Sequence, residues 1–297
     1  MITPNPVLKK LGFSNTDRLA IIHVDDVGMC QASVAAFEVL WQAGIVSSGA
    51  VMVPCPWFPQ AAEYGRSHPQ ADLGVHATLT SEWQHYRWGP VSTRDPASGL
   101  LDDEGFFPHR SPQVQAQAQP AAAAQELEAQ VTRALQFGLR PTHFDTHMGS
   151  VAHPKFLKSY LGIGLKYRLP MLVFRQDEAA WMANGLDAAI AAMAAQVTRD
   201  LESSGFPLLD GMLGLALDRP GGRLEQAQQA LAALPAGITH FIIHAAQDTP
   251  ELRAITSDWQ CRVQDFETFQ MEELRAFIKS QGIQVIGYRD LQNIIPQ

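Results

Sequence analysis

The sequence is poor in cysteine. Its 297 residues hold three, Cys30, Cys55 and Cys261, too few and too scattered for a disulfide framework or a Cys-x-x-Cys pair. Buried thiols in a reducing compartment are the reading that remains. Long hydrophobic runs are missing too. Leu19 to Val24 is apolar but short, and it runs straight into Asp25 and Asp26, which excludes a membrane span there. Met1 to Asn15 carries Lys9 and Lys10 with no apolar stretch behind them, so no secretory signal is read and a cytoplasmic protein is expected. Positive charge is in deficit: 22 Lys and Arg stand against 30 Asp and Glu, for a net charge of -8. A surface of that sign repels phosphate backbones, and neither nucleic acid nor membrane is expected as a partner. Charged residues make up 18% of the chain and hydrophobic ones 46%, a balance that excludes wholesale disorder and permits a sizeable core.

What is present is alternation. Short apolar runs at Leu19–Val24, Ser47–Val53, Leu73–Thr78, Thr142–Thr146, Met171–Phe174, Pro207–Asp210, Thr239–His244 and Gln284–Ile286 read as strands. Helical patterns fall between most of them, among them Val34–Ala43, closed by Gly44, and Ala121–Phe137. Strand followed by helix, repeated about eight times, predicts an α/β fold in which a parallel sheet closes into a distorted (β/α) barrel. No linker or repeat divides the chain, so one domain over 1–297 is expected, with a long rim loop at about 80–119. Within that loop Gln113–Gln119 alternates Gln with Val or Ala and reads as a solvated linker. Thr249–Asp265 reads as a second rim loop.

In such barrels chemistry gathers at the carboxyl ends of the strands. Four of these ends carry suitable side chains: Asp25-Asp26, His76, His143-Phe-Asp145-Thr-His147, and His244. Strand alternation puts His143, Asp145 and His147 on one face. Two imidazoles flanking a carboxylate suit zinc or another first-row divalent ion, with magnesium admissible if water fills the remaining positions. Each piece alone has an ordinary structural use, as a turn, a helix cap or a packed histidine. Their coincidence at one end of the strands is what points to a site.

The stretches His23-Val-Asp-Asp-Val-Gly-Met29, Gly74-Val-His76 and Thr142-His-Phe-Asp-Thr-His147 resemble the YdjC-like (ChbG-type) carbohydrate deacetylases, relatives of the NodB-type polysaccharide deacetylases. Gly44-Ile-Val-Ser-Ser and Gly287-Tyr-Arg-Asp extend the resemblance over nearly the whole chain. It implies one divalent ion, magnesium or zinc, on Asp26, His76 and His147. It further implies Asp25 as general base and His244 as the acid that protonates the leaving amine. The substrate so implied is an N-acetylated sugar or oligosaccharide. Asp145 then holds an imidazole by its second nitrogen, and His143 either does the same or packs. Where many relatives have His-Pro, an aromatic after the Asp pair, or further histidines after the last ligand, this chain has His244-Ala245, Val27 and Met148-Gly149.

Trp83, Tyr86, Trp88 and Phe107 offer faces on which a pyranose ring stacks, or else pack against one another as a lid. Arg175 and Arg87 offer a substrate carboxylate or phosphate a partner, or else form ion pairs. A homodimer through helical patterns such as Ala188–Val197 is the expected assembly. A non-sugar amide hydrolase, a sugar isomerase and a non-catalytic carbohydrate-binding protein are the rival readings. The isomerase wants more carboxylates at strand ends than this chain supplies, and a binding protein has no use for an intact base and acid.

Overall fold

All the strand pairings are parallel, as crossovers long enough to carry helices require. The computed structural model describes residues 4–296. Its strands are β1 (Arg18–Val27), β2 (Ser48–Val51), β3 (Leu73–Ala77), β4 (Phe144–Thr146), β5 (Gly211–Gly214), β6 (Gly237–Ile243) and β7 (Ile283–Val285). They run in the order β4-β3-β2-β1-β6-β5. Beyond β4 the sheet continues as single bridges, Phe144 to Met171 and Phe174 to Leu209, the latter just ahead of β5. The sheet thereby curls into the distorted barrel that the alternation predicts.

β1 is the axis of this arrangement. Nine of its ten residues are buried, the pattern of a parallel strand covered on both faces. Along its length it pairs with β6, and its first residues pair with β7 as well. β2 joins β1 only from His23 onward, so β7 fills the gap beside the start of β1. Helix Gln31–Ala43 follows, stopped at Gly44, whose φ of 70° is left-handed.

Four elements differ from the sequence reading, the first being Thr249–Asp265, which holds the helices Pro250–Ile255 and Trp259–Thr268 rather than a loop. Met171–Phe174 forms bridges rather than a full strand, and the Pro207–Asp210 run is the lead-in to β5. Gln113–Gln119 is not a linker, because Ser111–Gln117 forms a helix with Val114 buried beneath it. The alternation there of short apolar and amide residues leaves too little apolar periodicity to reveal a single buried anchor.

The amino-terminal end of the barrel is plugged by Val7, Leu8, Leu19, Ile21, Leu209, Ile238 and Tyr288. Higher up, the interior turns polar, with His23, His143, Asp145 and His240 all buried. Gly74 makes room for this: a Cβ there would meet the His143 ring at 2.4 Å. Gly74→Ala is therefore expected to cost about 1–3 kcal/mol as an overpacked core does, read as a lowered urea midpoint with an unchanged slope.

Candidate metal centre and active site

One irregularity at the end of β1 creates the site. The pairing with β2 runs from Val24 opposite Gly49 to Val27 opposite Val51, so β1 holds one extra residue. Asp26 absorbs it with a left-handed φ of 62°, a conformation that costs a non-glycine residue about 1–3 kcal/mol. Regular alternation would send Asp25 and Asp26 to opposite faces. The bulge instead turns both toward one imidazole: His76 Nε2 is 3.8 Å from Asp25 Oδ2 and 3.6 Å from Asp26 Oδ1.

Asp26 Oδ1 also lies 3.1 Å from His147 Nδ1. His147 opens a short 3₁₀ segment immediately after β4. Asp26, His76 and His147 each offer an atom within 4.8 Å of the others, all three residues buried. Beyond these two imidazoles Asp26 Oδ1 has no partner. A buried carboxylate oxygen left unpaired is costly, and one facing two imidazoles fits a divalent cation whose preferred donors are these. The other Asp26 oxygen accepts from Arg262 Nη1 at 2.8 Å. Burial alone would raise the Asp26 pKa, but His147 and Arg262 outweigh it and hold the carboxyl well below its ordinary range.

Asp25 faces elsewhere. Its Oδ2 is 3.7 Å from His244 Nε2 and its Oδ1 is 3.2 Å from His23 Nε2. His244 follows β6 directly, its backbone N–H donating to Asp265 Oδ2 at 2.9 Å. Burial pushes the His244 pKa down, so in the free protein the ring is biased toward neutral. Asp145 sits behind both His76 and His23. Its Oδ1 is 2.7 Å from His76 Nδ1 and its Oδ2 is 3.0 Å from His23 Nε2. The ladder His76–Asp145–His23–Asp25 thus runs through the barrel interior.

His23, Asp25, Asp145 and His240 form a second group near enough for a cation. In metal-free protein its two carboxylates favour a proton on His23. Burial would lower the His23 pKa, but Asp145 and Asp25 outweigh it and raise it to about 9. His240, 4.5 Å away, goes the other way: burial, then the charge on His23, push it down to about 3. His240 Nδ1 is 2.9 Å from the Tyr288 hydroxyl. His143 borders this group, its Nε2 3.8 Å from Asp145 Oδ2 and its ring 5.0 Å from that of His23. It stacks on Tyr288 with 4.0 Å between ring centres and contacts Thr142 Oγ1 at 3.0 Å.

The expected substrate residues are placed differently. Trp88 is 3% exposed, its indole N–H given to Thr80 O at 2.8 Å. Trp83 packs edge-on against it, beneath the Arg262 guanidinium. Tyr86 donates its hydroxyl to Met29 O at 2.6 Å. Trp88 and Phe107 are buried within the loop, whereas Trp83 and Tyr86 are half-buried, Tyr86 tying the loop to the turn after β1. Arg87 is tied to Asp102 and Phe107 O. Arg175 is buried and paired with Glu202 and Asp210, and Asp210 is in turn bonded to the amide of Ile238 at the start of β6. The carboxylates around Arg175 lie 27 and 35 positions away, so its pairing was not legible in the sequence.

Four functional neighbours escaped the sequence reading: His23, His240, Arg262 and Glu82. The two histidines lie inside apolar strands, and nothing local marks Arg262, which reaches Asp26 across 236 positions. Glu82 Oε1 lies 3.0 Å from His147 Nε2, on a loop whose tryptophans draw attention first.

Comparison with known proteins settles the kinship. The profile of the YdjC-like protein family matches residues 19–280. The chain belongs to the YdjC-like family. Among relatives in it, the carbohydrate deacetylase of Thermus thermophilus is 31% identical over 273 residues, covering 91% of this chain and 92% of its own. That of Thermoanaerobacter pseudethanolicus is 22% identical over 272 residues, covering 92% and 98%. A solved structure from Enterococcus faecalis, to which a role in cellobiose-phosphate cleavage has been ascribed, superposes with a TM-score of 0.71. It has 22% identity and covers 93% of this chain and 99% of that one, showing the same fold.

The charge on His23 makes stability pH-dependent in metal-free protein. The groups facing it are Asp25, Asp145, His143, His240 and Tyr288. Its folded pKa of about 9 exceeds the ordinary 6.5, so its contribution is full below 6.5 and is lost as pH rises through 9. Urea midpoints should fall over that window in wild type and lose this fall in His23→Asn. An equal fall in both proteins contradicts the assignment.

Proposed function

We propose that the protein hydrolyses the acyl–nitrogen bond of an N-acetylated sugar or oligosaccharide with the help of one divalent ion. The observation that carries this reading is the pair of adjacent carboxylates turned by one bulge onto His76, one facing the three-residue cluster and the other facing His244. The relatives' activity as carbohydrate deacetylases supports the choice of bond and substrate class.

Asp26, His76 and His147 would hold the ion, zinc or magnesium. When bound it supplies Lewis acidity, lowering the pKa of water from about 15.7 towards about 7 if zinc-like and stabilising charge on the acyl oxygen. The remaining steps belong to the chain. Asp25, kept ionised and oriented by His23 and His76, takes the proton of the attacking water. His244 protonates the departing nitrogen, without which an amine anion would have to leave. Since burial keeps this ring neutral at rest, it must first collect a proton, and Asp25 at 3.7 Å is placed to hand over the one it has taken. Asp145 fixes the tautomer of His76, its proton on Nδ1 and Nε2 turned to the site.

Substrate would enter by a cleft of about 1050 Å³ bordered by Glu82, His109, Arg110 and Met148, of the size that holds a sugar unit or more. Met148 is 60% exposed and directly follows His147. A cytoplasmic setting is supported by three cysteines that are free and buried. No helix among the described residues is long and apolar enough to cross a membrane.

The test is acetate release from N-acetylated monosaccharides and chitooligosaccharides, using metal-depleted protein with zinc, magnesium, manganese or cobalt added back. Release should require metal. Asp25→Asn should lower kcat by about 10²–10⁴-fold, the usual contribution of a positioned base, with metal affinity little changed. Metal binding without acetate release from any sugar overturns the substrate class. Full activity in Asp25→Asn overturns its role.

A further inference from the structure

Asp145 fixes the orientation of His76, and His147 needs a counterpart. We propose that Glu82 is the carboxylate that orients His147, so that the rim loop and the metal site form a single unit. This rests on the reading of His147 as a ligand. An imidazole that gives one nitrogen to a metal carries its proton on the other, and a carboxylate at that second nitrogen fixes both tautomer and ring plane. His147 turns Nδ1 toward Asp26 Oδ1 at 3.1 Å and Nε2 toward Glu82 Oε1 at 3.0 Å. His76 shows the converse, with Nδ1 on Asp145 and Nε2 toward the site. The two rings thus have carboxylates at opposite nitrogens. Both Glu82 oxygens are buried, with the Thr80 hydroxyl and the His147 ring as their neighbours, so a carboxylate is being kept out of water beside this imidazole.

The two carboxylates arrive by different routes. Asp145 lies within β4, whereas Glu82 lies at the root of the rim loop, which has to be pinned. Ser81 N donates to Pro108 O at 3.0 Å, and Ser81 Oγ accepts from Trp88 N at 3.0 Å. Trp88 Nε1 closes on Thr80 O, and His109 Nδ1 donates to Glu82 O at 3.1 Å. Trp88, a candidate sugar platform by sequence, is therefore a clamp on the segment that carries Glu82. Because Glu82 also borders the 1050 Å³ cleft, an occupant of that cleft presses on the residue that holds His147.

Zinc titrated calorimetrically into metal-free protein tests this with Glu82→Met, Glu82→Gln and His147→Ala. Glu82→Met, close to Glu in volume, should weaken zinc binding by about 10–100-fold, as loss of such partners does. Glu82→Gln should keep most of the affinity, since its amide oxygen still accepts the Nε2 proton. Nitrogen chemical shifts of His147 in the zinc-loaded wild-type protein should place that proton on Nε2, a readout independent of how any variant folds. Wild-type affinity in Glu82→Met, a Gln variant as weak as the Met variant, or a proton on Nδ1 overturns the proposal. His147→Ala separates the two levels. If it binds zinc normally the ligand reading itself falls, and if it alone loses zinc only the role of Glu82 falls.

Discussion

A carboxylate in the middle of a protein is unstable company unless something of opposite charge stands beside it. Asp145 is 1% exposed, and the free energy of burying it unpaired would amount to several kcal/mol. Burial pushes its pKa upward, yet His76 and His23 on either side outweigh that and hold it well below its ordinary range. This single pairing sets much else. It fixes the His76 tautomer and keeps a proton on His23, and through His23 it places a positive charge against Asp25. It also explains the composition of the barrel interior. His240 must stay neutral beside that charge, Tyr288 takes up its Nδ1, and Gly74 leaves space for His143.

The other constraint is backbone strain at Asp26. A left-handed Asp in a strand persists only if its surroundings over-determine it. Here they include the bulge against β2, the Arg262 guanidinium on one carboxylate oxygen, and two imidazoles facing the other. The strain has a chemical consequence. It gives two neighbouring carboxylates one shared target, with different electrostatic partners behind each. Adjacent acids in a regular strand could not share an imidazole in this way.

The parallel barrel was legible because its signal is redundant: each buried run and each helix repeats the same message, and losing Met171–Phe174 as a full strand changes little. The positions of Asp25, Asp26, His76, His147 and His244 were legible because strand ends in such a sheet share one rim. The direction of the Asp pair was not, since alternation predicts opposite faces and a one-residue bulge leaves no local mark. Roles that depend on long-range pairing were hidden for the same kind of reason. His23 reads as one polar interruption in an apolar strand, and its partner Asp145 is far along the chain. Trp88 and Arg175 were misplaced because residue type suggests what a side chain can do, while burial decides whether it meets a ligand.

The central claim is that one cation belongs between Asp26, His76 and His147, and a proton belongs in the neighbouring group of His23, Asp25, Asp145 and His240. Anomalous diffraction from crystals grown with zinc measures this directly. A single peak per chain within bonding distance of Asp26 Oδ1, His76 and His147, with none beside His23, is the predicted result. A peak among His23, Asp25, Asp145 and His240, or none at the first cluster, would contradict it.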